Sequence, residues 1–292
     1  LAEAQKLYET ILQKFSNNIR AQQGLASLIK YKQDSLIQNP PQESLNQLVN
    51  LYNQGQIEAV IEQAEALTGQ YPGAYVVWNI LGASKAQIGM LDEAVEAYKK
   101  SISLKPDFAE AYSNMGVALK NQGKLEEAIE AYKKSVALKP NDADTFYNMG
   151  IALKDQGKLE EAIDAYKKCI SLRPNYAEVY NNLGVVFQAQ GKFDEAIKVF
   201  DKAILFKSDY AEAYNNKGAL LQELGKFDEA MEALNKSITL SANYSDAYNN
   251  IGLTLKSQGR LDEAIDAYKK CISLKPDHAE AYDNMGCLLY TS

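Results

Sequence analysis

Six asparagines stand 34 residues apart, at Asn114, Asn148, Asn182, Asn216, Asn250 and Asn284, and Asn181, Asn215 and Asn249 directly precede three of them. A primary amide carries two N–H donors and a carbonyl acceptor, so one Asn can engage the C=O and the N–H of a peptide group together. Asn is a mediocre helix former, and neither propensity nor packing accounts for its return at one register. On neighbouring helices about 8–10 Å apart, such a row would meet roughly every third peptide unit of an extended chain advancing ~3.3 Å per residue. That is chemistry for holding a backbone without reading its side chains. The same pattern arises if each Asn ties one helix to the next, or if duplication copied it, and the sequence leaves these alternatives open. Around the row lie Lys120, Lys154 and Lys256, and the acids Glu110, Asp144, Glu178, Glu212, Asp246 and Glu280. They read as groove charges or as a solvated face.

Other chemistry has little material. There is one histidine, His278, in the Pro276-Asp277-His278 connector, and three cysteines. Cys169 and Cys271 are 102 residues apart, three times 34, so they occupy equivalent, distant sites and read as small core residues rather than a disulfide. No nucleophile, base or ligand set is clustered, and the expectation is no intrinsic catalysis, no metal and no cofactor. A net charge of −7 and a pI near 5.0 argue against nucleic acid as a partner. No stretch approaches the roughly 20 apolar residues of a membrane helix. With 46% hydrophobic and 24% charged residues the chain reads as folded. The opening Leu1-Ala2-Glu3-Ala4-Gln5-Lys6 resembles neither a signal peptide nor a natural start. The compartment is unreadable, with a cytoplasmic setting favoured.

The elements that position the row are written in a strict period. Glycine recurs at 82, 116, 150, 184, 218, 252 and 286, and a second series runs at 55, 89, 123, 157, 191, 225 and 259, each step 34 residues. Alanine follows the second series by five residues, with an aromatic or Leu four further on at Tyr98, Tyr132, Tyr166, Phe200, Leu234 and Tyr268. A fixed period of this length means stacked copies of one small unit, here a helix pair. In residues 109–142, Asp107 is placed to cap the first helix, and Gly123 to end it in a left-handed conformation. The cap series continues at Asn141, Asn175, Asp209, Asn243 and Asp277. Glu126 and Glu127 open the second helix and Lys133, Lys134 and Lys139 close it, the order its dipole favours, before Pro140. With Ala109 as position 1, turning the first helix by 100° per residue gathers positions 4, 7, 8 and 11 (Tyr112, Met115, Gly116, Leu119) on a packed face. Positions 2, 5, 6, 9, 12 and 13 take the opposite arc. Asn114 and its equivalents hold position 6, and Asn181, Asn215 and Asn249 hold position 5.

Trp78-x-x-Leu81-Gly82 with Ala94, Tyr98 and Pro106, and Tyr112-x-x-Met115-Gly116-x-x-Leu119 with Ala128, Tyr132 and Pro140, resemble the tetratricopeptide repeat almost position for position. The resemblance implies an all-α, right-handed superhelical solenoid of antiparallel helix pairs, the first helix of each lining the concave side, and a scaffold that binds protein or peptide. The repeat domain of O-linked N-acetylglucosamine transferases similarly carries an asparagine ladder along its inner groove, matched here by the six Asn. The PPQESLNQLVNLYNQGQIEAV segment resembles the front part of bacterial tetratricopeptide proteins whose later domain is sulfotransferase- or glycosyltransferase-like. A substrate-recruiting arm of a larger transferase is therefore the alternative function, and a self-assembling structural scaffold a third. Domains of this family that clamp a chaperone's carboxylate use Lys, Asn and Arg at set positions. Here position 9 is apolar (Val117, Ile151, Val185) and position 2 acidic, which does not support that clamp.

The period divides the chain into truncated, irregular helices over 1–40, a degenerate unit over 41–74, six regular units over 75–278, and the first helix of a truncated unit over 279–292. In 1–40, Ala4 and Tyr8 suggest a second helix and 19–32 a first helix carrying Gly24. Register then breaks over 33–41, a bend or short linker around Asn39-Pro40-Pro41. In 177–244, Ser208 and Ala242 replace the closing Pro, and Lys217 replaces an aliphatic at position 7 and should snorkel. Tyr282, Met285 and Leu289 form the packed face of the last helix, and weak end-to-end self-association through it is expected.

Overall fold

The computed structural model describes the backbone of residues 2–37 and 39–291 and the side chains of 3–30 and 39–288. Each connector inside a helix pair closes as the glycine series demands. Gly123 takes φ +76°, where a Cβ would be strained, and Lys124 N–H donates to the Leu119 carbonyl at 3.0 Å, reaching back over the last turn. All seven glycines of that series, from Gly55 to Gly259, have φ between +72° and +82°.

The other glycine series packs the pair. A Cβ on Gly116 would lie 2.6 Å from the Tyr132 ring, and one on Gly150 would lie 2.4 Å from the Tyr166 ring, so the helices meet with an aromatic laid on bare backbone. Tyr132, Tyr166, Phe200, Leu234 and Tyr268 are all fully buried there. Three residues on, Ser101, Ser135 and Ser237 donate to the carbonyls of Tyr75, Ala109 and Ala211 at 2.8–2.9 Å, stitching the second helix to the start of the first. Cys169 and Cys271 take this same position, fully buried, and burial pushes each thiol up to about 11. They are core residues, as expected; Cys287 is exposed.

These contacts build two compact units, Leu1–Pro140 and Asn141–Ser292. The first contains α1 (Ala2–Lys14), α2 (Ile19–Ile37), α3 (Gln42–Asn53), α4 (Ile57–Gln70), α5 (Tyr75–Gln87), α6 (Leu91–Leu104), α7 (Ala109–Asn121) and α8 (Leu125–Leu138). The second contains α9 (Ala143–Asp155), α10 (Leu159–Leu172), α11 (Ala177–Ala189), α12 (Phe193–Phe206), α13 (Ala211–Glu223), α14 (Phe227–Leu240), α15 (Ser245–Ser257), α16 (Leu261–Leu274) and α17 (Ala279–Thr291). Among the described residues there is no strand, and the fold is an all-α solenoid of stacked helix pairs. Among the described residues no helix is long and apolar enough to cross a membrane.

Three expectations change. The first helices begin one residue later than the Asp/Asn series implied: Phe108, Asp142, Tyr176, Tyr210 and Tyr244 hold the N-cap, none with a side-chain capping bond. In most of these connectors a backbone turn takes over, with position 34 donating N–H to the position 31 carbonyl, as Tyr244 does to Ser241 at 3.1 Å. At α17, His278 Nδ1 accepts the Ala281 N–H at 3.3 Å and caps the helix. Second, α2 runs on to Ile37, so the break narrows to the Asn39-Pro40-Pro41 segment, where proline disfavours a helical predecessor. Third, the buried positions of the first helix are 3, 8, 10 and 11 (Ala111, Gly116, Ala118, Leu119), while Tyr112 and Met115 are half-buried. A first helix in a stack packs against its own partner and against the next repeat, so it has two buried sides. Lys217 is half-buried, its ammonium 2.7 Å from Asp201.

Candidate functional site

The second packed side of the first helix decides where the asparagines go. Asn181, Asn215 and Asn249 at position 5 are 0%, 5% and 3% exposed, so they lie inside the stack and not on the open arc the 100° wheel gave them. Each is clasped by the following repeat. Asn181 Nδ2 donates to Glu212 Oε1 at 3.0 Å, and its Oδ1 accepts from Asn216 Nδ2 at 3.0 Å. Asn250 Nδ2 donates to Asn215 Oδ1 at 2.8 Å, and Asn284 Nδ2 to Asn249 Oδ1 at 3.2 Å. Where position 5 is Tyr147, Asn182 Nδ2 donates to its hydroxyl at 3.1 Å.

The first unit contains the same clasp. Asn114 Nδ2 donates to Asn79 Oδ1 at 3.2 Å, and Asn79 Nδ2 donates to Glu110 Oε1 at 3.0 Å. A buried amide with both ends satisfied avoids a desolvation cost, and two side chains from the next repeat satisfy it.

Position 6 is different. Asn114, Asn148, Asn182, Asn216, Asn250 and Asn284 are all half-buried. In these ties Asn114, Asn182, Asn250 and Asn284 are donors, each through Nδ2, so the tie itself does not use the side-chain oxygen. One amide N–H is committed to the stack, and the other N–H and the oxygen remain. Lys120 and Lys154 are half-buried, with Lys154 Nζ 2.7 Å from its neighbour Asp155. In the first unit, Asn79, Glu110 and Asn114 share a cavity of about 300 Å³ with Val49, Tyr52, Ile80 and Ala83.

A second recurrent set borders the row. Arg173 lies over the Tyr176 ring at 4.7 Å and pairs with both Asp144 oxygens at 2.8 and 2.9 Å. Lys207 lies over the Tyr210 ring at 4.6 Å and bonds Glu178 at 2.9 Å. Lys105 sits 4.6 Å from the Tyr75 ring centroid and 5.7 Å from that of Phe108. Sequence reasoning missed this set, along with Asn79 and Tyr147. Its signal is a cation at position 31 followed three residues later by an aromatic, repeated at Lys105-Phe108, Arg173-Tyr176 and Lys207-Tyr210. Among the described residues no group of three His, Cys, Asp or Glu side chains could hold a metal ion.

Helix pairs of this length, joined at left-handed glycines and packed through an aromatic on a helix glycine, define a repeat scaffold, and its family is shown by comparison. A "TPR repeat" model matches residues 82–123, 118–157 and 152–191, and "Tetratricopeptide repeat" models match 175–243 and 245–278. The chain belongs to the tetratricopeptide-repeat proteins. Among curated proteins it is 37% identical over 70 residues to the peroxisomal targeting signal receptor of Candida albicans, covering 24% of this chain and 12% of that receptor. It is 33% identical over 67 residues to the receptor of the same name in Saccharomyces cerevisiae, covering 23% and 11%. The matches thus span about an eighth or less of those proteins. Among solved structures, the APC/C hetero-tetramer Cut9-Hcn1 matches with TM-score 0.67 at 20% identity over 98% of this chain and 52% of that one, a likeness of fold. MamA matches with TM-score 0.51 at 31% identity over 57% and 97%.

Proposed function

We propose that the chain is a non-catalytic scaffold whose first helices hold an extended protein or peptide, with Asn114 in the first unit, and Asn148, Asn182, Asn216, Asn250 and Asn284 along the second, meeting the ligand's backbone. The observation that carries this reading is the half-exposed amide at position 6, which keeps one N–H and a carbonyl oxygen after tying the repeats together. One donor and one acceptor are what a peptide group's C=O and N–H require. Asn181, Asn215 and Asn249 act beneath, fixing the amides above them, and Lys120 and Lys154 stand at the margin of the row. In curated relatives the matched repeats belong to receptors for a targeting signal, which is consistent with capture of polypeptide.

The test uses the whole chain to select binders from a pool of random dodecapeptides. Selected peptides are then N-methylated one residue at a time, and separately scanned with alanine. Methylation should weaken binding by ~0.5–1.5 kcal/mol at roughly every third residue. A selection without binders, or a flat methylation scan, overturns the reading.

The likeness of the PPQESLNQLVNLYNQGQIEAV segment to arms of transferase-like proteins gives the same face a second use, presenting a held chain to a catalytic domain. Weak end-to-end association through α17 is supported by Tyr282, 47% exposed, and by Gly286, beside which a Cβ would meet nothing. Met285 is half-buried against the Leu234, Ile251 and Leu288 cluster, and the Leu289 side chain lies outside the described residues. Met285→Glu should abolish any concentration-dependent sedimentation.

A further inference from the structure

In the second unit the cation seats can be compared repeat by repeat. Each has an acid at position 2, a cation at position 31 and a ring at position 34. Asp144, Arg173 and Tyr176 form one, and Glu178, Lys207 and Tyr210 the next. The following repeat keeps the acid, Glu212, and the ring, Tyr244, but has Ser241 where the cation belongs. The backbone there is unchanged: Ser241 has φ −142° and ψ 89°, against −141° and 88° for Lys207. Glu212 is exposed, and its bonds are to neutral donors, Asn181 at 3.0 Å and the Tyr210 hydroxyl at 3.4 Å. The neighbouring groups are committed elsewhere, the Lys207 ammonium to Glu178 at 2.9 Å and the His278 ring to Asp246 at 3.2 Å. The charges of Glu178 first, then Asp209 and Glu212, raise the Lys207 ammonium above its ordinary range. Glu212 and Tyr244 hold the positions that Glu178 and Tyr210 hold around Lys207 one repeat earlier, and burial first, then the charges of Glu212 and Asp246, push the Tyr244 phenol up to about 12.

We infer that the seat formed by Glu212 and Tyr244 receives a Lys or Arg side chain of the bound polypeptide, which supplies the cation that Ser241 does not. The inference rests on the peptide-holding reading above and adds to it a side-chain preference at one place on an otherwise backbone-directed surface. The seats occupied by Arg173 and Lys207 show the ligand geometry, a cation 4.6–4.7 Å from the ring centroid and within 3 Å of the carboxylate. A ring face and a carboxylate together favour a guanidinium or ammonium group over a neutral side chain.

The dodecapeptide selection separates the two ideas. Wild-type chain should enrich Lys or Arg at one fixed distance from the peptide positions sensitive to methylation. Ser241→Lys fills the seat from within along the path Lys207 takes, and should lose that enrichment and bind the selected peptides about tenfold more weakly. Glu212→Gln keeps an acceptor for Asn181 while removing the charge, and should lower affinity in the same direction. Binders without a fixed basic residue, or a basic residue whose contribution is unchanged in both variants, overturn the seat and leave the scaffold reading standing. A selection with no binders overturns both.

Discussion

Asn216→Ala is the perturbation that best weighs the asparagine tie. Asn181 Oδ1 accepts from Asn216 Nδ2 at 3.0 Å, and Asn181 is 0% exposed. Truncating Asn216 leaves that oxygen buried without its donor, a cost of ~1–3 kcal/mol. The Asn215 contact to Asn216 Oδ1, at 3.4 Å, adds little. Asn181→Ala removes the buried amide itself: the freed Glu212 is exposed and Asn216 half-buried, so water can serve both, and the loss is mainly the two bonds and a small cavity. In the double variant no oxygen is left stranded, so the two losses should fall short of adding by ~1 kcal/mol or more. Urea unfolding followed by far-UV circular dichroism measures each corner of the cycle. Weakening one interface in a stack governed by nearest neighbours should also broaden the transition. If Asn216→Ala unfolds within about 0.3 kcal/mol of wild type, or the pair is additive, the amide does not hold the repeats together.

Gly123→Ala and Gly150→Ala should both destabilise for unlike reasons, ~1 kcal/mol from φ +76° in open space and ~1–3 kcal/mol from a Cβ driven into Tyr166, as read by thermal melts. Lys85 is 9% exposed between Glu65 at 2.8 Å and Glu93 at 2.7 Å, where Leu119 and Leu153 stand in the next repeats. Lys85→Leu should hold or raise stability by ~1–2 kcal/mol, whereas Glu65→Gln with Glu93→Gln strands the cation and should lower it by about 3 kcal/mol. Burial pushes the Tyr268 phenol from its ordinary 10.0 up to about 12. The unfolded chain therefore loses that proton first, and stability held below pH ~10 should fall as pH rises towards 12. Tyr268→Phe should move the alkaline unfolding midpoint upward. Thiol titration of the folded chain should label Cys287 at once, and Cys169 and Cys271 only on unfolding.

Most of the fold was legible because its signals are local and repeat. Gly123 ends α7 in the left-handed region and Gly116 lies on the packed face, as the two glycine series implied, with Tyr132 laid upon it. What failed was also physical. The helical wheel assumes one buried face, which set Asn181 beside Asn182 on an open arc, but stacking buries the side that carries position 5. The Asp/Asn series suggested caps, but the position 31 to 34 turn moved the helix start onto Tyr176, Tyr210 and Tyr244. Lys139 was read as a partner of its own helix dipole. The relation of its equivalents Arg173 and Lys207 to the ring three residues on and the acid at position 2 becomes plain only when distances across the helix pair are known.

The two readings of the asparagine row left open by the sequence are chemically compatible. At Asn114, Asn182, Asn250 and Asn284 the tie consumes one N–H of the amide and does not use the other N–H or the oxygen. The tie also sets the plane of the amide: Asn250 cannot rotate without breaking its 2.8 Å bond to the buried Asn215 oxygen. An amide already held in place loses less entropy on meeting a peptide than a free side chain would, so fixing the repeats and preparing the surface are one act of preorganisation. This explains why Asn recurs where Gln does not. Its short stem lets a single side chain reach the neighbouring helix while keeping its oxygen at the surface, and a longer, freer side chain would order less well. Asn250→Gln should therefore weaken selected peptides at the residue facing that repeat even where the melting temperature is kept. An unchanged affinity would show that the oxygen's placement does not matter to the ligand.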